Sequence, residues 1–189
     1  MTERELLCSG ISRIIWGYVF LHFNFNLGTV NLLPLFAAYL LFDSGLHRLR
    51  AEHRDLKLLE PVAVGLGAFY LMDWVLICVG SSLAELAPIC SMVAGIMSLY
   101  FHFQLLTDLA ELAEKYQPEE AATAGSLRRL RSFQTLLLTA LDLPVWKALL
   151  PEDWLLYVVL VLGILGIGTA IAIIAHLHTL KTDLRQAET

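Results

Sequence analysis

Of the 189 residues, 57% are hydrophobic and 16% charged, against ~45–50% and ~25% in soluble globular domains. So short a chain has too much surface to hide that many apolar side chains from water. This composition excludes a disordered, collagen-like or disulfide-scaffold protein. With a net charge of −5 and no large basic face, it also argues against a nucleic-acid partner. An integral membrane protein is expected, with the lipid bilayer as its first partner.

A helix needs ~20 mostly apolar residues to cross ~30 Å of hydrocarbon. In chain order, stretches of that kind lie at about 6–25, 30–46, 61–80, 87–106, 133–150 and 154–176. At the N-terminus Arg4 and Arg13 flank a poor apolar stretch, and no small-x-small cleavage site ends it, so the first helix is expected to remain as an anchor. Asn24, Asn26, Gly28, Asn31 and Pro34 separate the first two stretches and read as a tight turn. The asparagines bond to backbone groups that a turn leaves unpaired, Gly28 accepts positive φ, and Pro34 suits the first turn of the next helix. Asp73 alone interrupts the third stretch. The fourth is expected to continue past the membrane through Leu109, Leu112 and Tyr116 at helical spacing, until Pro118 and Gly125 break it. The fifth is marginal, because Asp142, Pro144 and Lys147 follow TLLLTAL.

The expectation is an all-α, polytopic transmembrane helix bundle: one domain of six spans in three hairpins, with both termini cytoplasmic. Cations accumulate in cytoplasmic loops, and this topology leaves only Lys147 of the 13 Lys and Arg residues outside. A five-span alternative lays LRRLRSFQTLLLTAL on the membrane surface as an amphipathic helix. Arg128, Arg129 and Arg131 make the cytoplasmic loop before it a candidate docking point for a protein partner.

The run IIWGYVFLHFNFNLGTVNLLPLFAAYLLFDSGLHRL resembles the opening hairpin of a family of small, uncharacterised multi-span membrane proteins of Firmicutes-type bacteria. The matching positions are Gly17, Phe25, Leu33, Pro34, Phe36 and Tyr39. Leu35 stands where the family carries an acid, and Ala38 where it carries glycine, so no role of that acid transfers. The resemblance implies a bacterial plasma-membrane protein and says nothing of chemistry.

Close helix approach in lipid depends on small residues. Ala87, Ser91 and Gly95, followed by Ser98 and His102, form one such face. Ala63–Gly67, Gly166–Ala170 and Gly168–Ala172 form others, all expected to face protein. Ionisable groups within a span are costly and by default suggest function. Asp73 is the foremost, with His22 as a partner and Tyr18 and Asn26 on the same face as His22. His102 and His176 lie nearer the cytoplasmic ends, out of direct reach of Asp73. Together these residues outline a polar track.

Cys8, Cys78 and Cys90 make no metal-ligand spacing. A disulfide between Cys78 and Cys90 is chemically allowed on the outer side. The chain contains no GxSxG elbow, HExxH, P-loop or dinucleotide fingerprint, so no enzyme, cofactor or metal is expected. The first reading is therefore a non-enzymatic, membrane-embedded interaction or regulatory component. The alternatives are a small-solute or ion/proton translocator with its polar centre at Asp73, or, by size and span count, the substrate-binding subunit of a vitamin importer.

Overall fold

The computed structural model describes residues 3–23, 26–27, 30–31, 34–50, 54–116, 122–142 and 151–186. Among them it holds seven helices: α1 (Glu3–His22), α2 (Leu35–Leu49), α3 (Arg54–Cys78), α4 (Leu83–Leu86), α5 (Pro88–Tyr116), α6 (Ala122–Asp142) and α7 (Glu152–Gln186). Two-residue strands β1 (Asn26–Leu27) and β2 (Val30–Asn31) pair antiparallel between α1 and α2. The expected reversal is therefore present, although the side chains of Asn26 and Asn31, together with Asn24 and Gly28, lie outside the described residues. Pro34 is the N-cap of α2, one residue before its first turn.

The six long helices close on themselves. Each packs on the next in chain order, with α3 meeting α5, and α7 returns to α1. The tightest seam joins α1 to α2. A Cβ placed on Gly10 would lie 2.9 Å from the Leu49 side chain and 3.1 Å from the Gly45 carbonyl. One placed on Gly45 would lie 2.8 Å from Ile14 and 3.0 Å from the Gly10 carbonyl. The two backbones approach closely because neither carries a side chain at the crossing. Across the same seam Arg13 donates to Ser44, and Arg48 donates to Ser9.

Burial is uneven along the bundle. Leu7, Ile11 and Ile14 of α1, Leu46 and Leu49 of α2, and Leu56 and Leu59 of α3 form a close-packed core. Leu105–Ala113 of α5, Leu127 of α6 and Leu177–Leu184 of α7 supply the rest of it. These are the helix ends that carry most of the cations. At the same end Cys8 Sγ meets the Lys181 carbonyl (3.7 Å), and Arg128 pairs with Glu114 (2.5 Å). Toward the other end α3, α5 and α7 expose Met72, Val75, Ile89, Val93, Ile96, Leu156, Leu160 and Ile164. Trp154 and Tyr157 are exposed at the start of α7, as in the aromatic belts found at membrane interfaces.

Three helices are long and apolar enough to cross a membrane: Leu56–Cys78, Pro88–Tyr116 and Trp154–Arg185, of 23, 29 and 32 residues. Six spans, or five, are not supported. α2 has 15 residues, which reach only ~22 Å. α1 carries Glu3, Arg4, Glu5 and Arg13. α6 carries Arg128, Arg129 and Arg131 in its first half, and residues 143–150 of the expected fifth span lie outside the described residues.

Other boundaries shift for local reasons. Pro61 falls inside α3 instead of opening it, because Leu56 and Leu59 are buried and packing extends the helix upstream. Packing also carries α5 on to Tyr116, as the spacing of Leu109 and Leu112 predicts. Gly125 sits within α6 and ends nothing, and Pro118 lies outside the described residues.

Of the small-residue faces, Ala63 is buried and Gly67 meets Tyr39, while Gly166 meets Leu137 and Ala170 is buried. Gly168 has open space around it and faces away from the protein, so its expected packing role does not hold. The seam at Gly45 gives a direct test. Gly45→Val should lower stability by about 1–3 kcal/mol, as overpacking does, while Gly65→Ala, which meets nothing within 4 Å, leaves it unchanged. Thermal unfolding of the detergent-solubilised chain measures both.

Candidate functional site: a polar cavity inside the helix ring

The glycine seam brings aromatic side chains together at the centre of the ring. Gly17 leaves room for the Phe42 ring, which a Cβ there would meet at 2.6 Å. Phe42 packs edge-on against Tyr18 (5.2 Å between centroids) and lies 5.4 Å from Phe101. His102 sits within this cluster, 5.7 Å from Tyr18 and 5.6 Å from Phe42. Only 3% of His102 is exposed, and neither ring nitrogen has a hydrogen-bond partner. The Tyr18 hydroxyl is likewise buried without one. Buried polar atoms usually find partners, so such orphans beside open space point to a site.

That space is a cavity of about 410 Å³, bounded by α1, α2, α3, α4, α5 and α6. His22, Asp73 and His102 all line it, together with Tyr39, Phe69, Tyr70, Ser91, Gly95 and Ser98. The small-residue face of α5 therefore serves the cavity: Ser91, Gly95, Ser98 and His102 line its α5 wall. Tyr39 and Tyr70 stack nearly parallel at 5.3 Å, and the Tyr39 hydroxyl and Ser98 Oγ share a hydrogen bond of 2.8 Å. No lysine or arginine is among the lining residues.

Each polar group is held locally. His22 Nδ1 lies 3.1 Å from the Tyr18 carbonyl oxygen. A carbonyl only accepts, so Nδ1 carries the proton and Nε2 offers the lone pair. Asp73 Oδ1 accepts from the Leu83 N–H at 2.8 Å, which ties α3 to the start of α4. Ser82 caps that helix, accepting from Glu85 N at 3.3 Å, and Gly80 takes φ +82° in the turn. The partner the structure gives Asp73 is thus this backbone N–H, while His22, its expected partner, lines the same cavity.

The expected track is assembled in part. Asp73, His22 and His102 share one cavity, and Tyr18 lies behind the two histidines, stacked 6.1 Å from His22. His176 is half-buried on α7 and is not among the lining residues. Asn26 lies on β1, with its side chain outside the described residues. Sequence reading missed Tyr70 and Phe69, although both stand three or four residues before Asp73, the spacing that shares a helix face. Cys78 and Cys90 are exposed and free. Among the described residues no group of three His, Cys, Asp or Glu could hold a metal. Two of the three basic docking candidates are used internally: Arg128 pairs with Glu114, and Arg131 donates to Thr107 (2.9 Å) and lies over the Phe103 ring. Arg129 is exposed.

No family model, curated protein or solved structure matches the chain.

The Asp73 cap predicts that two substitutions differ. Asp73→Leu removes the acceptor for the Leu83 N–H and should cost about 1 kcal/mol, the typical worth of a hydrogen bond. Asp73→Asn keeps an acceptor oxygen there and should unfold at the wild-type temperature. Thermal unfolding of both variants checks this.

Proposed function

We propose that this chain is a membrane-spanning bundle that passes protons or a small cationic solute through the interior of its helix ring, with Asp73, His22 and His102 as the polar centre. The observation that carries this reading is their meeting in one cavity, which the track from α1 through α3 to α5 requires. Ionisable groups within a membrane mark ion and proton pathways. A carboxyl and two imidazoles, with no lysine or arginine beside them, form a wall that favours cations over anions.

The setting is a bacterial plasma membrane, with the close-packed, cation-rich end in the cytoplasm. Support comes from the gathering of Arg48, Arg50, Arg128 and Lys181 at that end and from the exposed apolar surface toward the other. A purely interaction-based role draws less support, because Arg128 and Arg131 already hold α6 to α5.

Proteoliposomes loaded with a pH-sensitive dye and placed under a proton gradient test the reading, with sodium or tetramethylammonium as alternative driven species. Wild-type protein should dissipate at least one of these gradients, and Asp73→Asn should fall to the rate of protein-free vesicles. Equal rates for the two proteins, across all three species, contradict it.

A further inference from the structure

A second chamber, of about 290 Å³, lies between α1, α6 and α7. Leu21, His22 and Leu138 line both chambers, so they form the partition between them. Its distinguishing residue is Gln134 of α6. Only 4% of this side chain is exposed, and neither its Nε2 nor its Oε1 has a hydrogen-bond partner. An amide in that state leaves two N–H donors and a carbonyl acceptor unsatisfied, which is costly in a buried site. The Thr169 hydroxyl donates to the Leu165 carbonyl at 2.7 Å, and His22 is the other polar side chain on the wall.

We infer that this chamber is a binding site for a small uncharged ligand that presents a carboxamide edge to Gln134. Both amide atoms are covered by protein, so the ligand engages them once the Gln134 side chain turns toward the chamber. The pairing is then reciprocal: the ligand carbonyl accepts from Nε2, and the ligand N–H donates to Oε1. A carboxylate offers no donor, and no lysine or arginine lines the chamber to neutralise one. Leu137, Leu162 and Ile167 form apolar walls suited to a ring or short alkyl body. Gly163 and Gly166 on α7 open the floor, and a Cβ at Gly163 meets nothing within 4 Å. His22 belongs to both chambers, but the contacts assigned to the ligand are with Gln134, so loss of benzamide binding and loss of gradient dissipation are separate outcomes.

Benzamide is a suitable probe: uncharged, with a carboxamide edge and an apolar ring. Equilibrium binding of radiolabelled benzamide to the full chain in lipid nanodiscs is compared among wild type, Gln134→Leu and Gly163→Phe. The first variant removes the hydrogen bonds. The second fills the chamber while leaving Gln134 in place, so it serves if Gln134→Leu fails to fold. The expected result is saturable binding to wild type, weakened roughly tenfold or more in each folded variant, by loss of two hydrogen bonds in Gln134→Leu and by loss of space in Gly163→Phe. Ethylbenzene, with the same ring and no amide, should compete poorly. No saturable binding to wild type, with the orphan amide served by water alone, overturns the inference. So does equal binding in the variants.

Discussion

Where α1 crosses α2, each helix offers the other a glycine. Gly10 and Gly45 let the backbones come within a distance that no side chain would allow, and the rest of the ring follows from that approach. It seats Ile14 and Leu49 in the seam and leaves Gly17 to accommodate the Phe42 ring. It also presents Tyr18 and Tyr39 inward toward Phe101 and His102 of α5. In lipid, helix pairing has little hydrophobic drive and rests on such close contact and on interhelical polar bonds. The Arg13–Ser44 and Arg48–Ser9 bonds supply the second element on the same seam. α7 then packs on α1 and closes the ring.

The consequence is a molecule with two unlike ends. One is packed as a soluble helical domain would be, with leucines from every long helix filling it. Toward the other, aliphatic side chains of α3, α5 and α7 point outward while polar groups line interior space. That inversion is unstable in water, where exposed apolar patches of this extent are avoided, and natural in a bilayer, where polar groups must find partners inside the protein. The cavity that holds Asp73, His22 and His102 is thus a product of the same packing that stabilises the ring.

Much of this is legible in composition and spacing. The apolar runs mark α3, α5 and α7, because lipid-facing surface must be continuous along a helix. The four-residue rhythm of Ala87, Ser91 and Gly95, continued by Ser98 and His102, marks the face of α5 that lines the cavity. Asp73 stands out as a carboxyl in an apolar run. The Gly10–Gly45 crossing is not legible, since it depends on how two helices meet, and neither glycine differs locally from Gly65 or Gly168, which touch nothing. Hydropathy alone does not describe α6: averaged over its length, Arg128 and Arg131 offset the leucines, yet Leu127 and Leu137 are buried and the two arginines bond to α5. Gln134 escapes notice for the same reason: a lone amide in a mixed helix has no signature until its surroundings are known.

The central claim is that this ring turns apolar surface to lipid and polar surface to an interior cavity, and two residues of α5 measure it most directly. Ser98 lines the cavity, while Ile96 is exposed on the outer surface. With the native cysteines replaced, Ser98→Cys and Ile96→Cys are introduced singly into the chain in lipid vesicles and treated with a small, water-soluble methanethiosulfonate. The account predicts that the cysteine at 98 reacts and the cysteine at 96, shielded by lipid, does not. Reaction at 96 with none at 98 would contradict it.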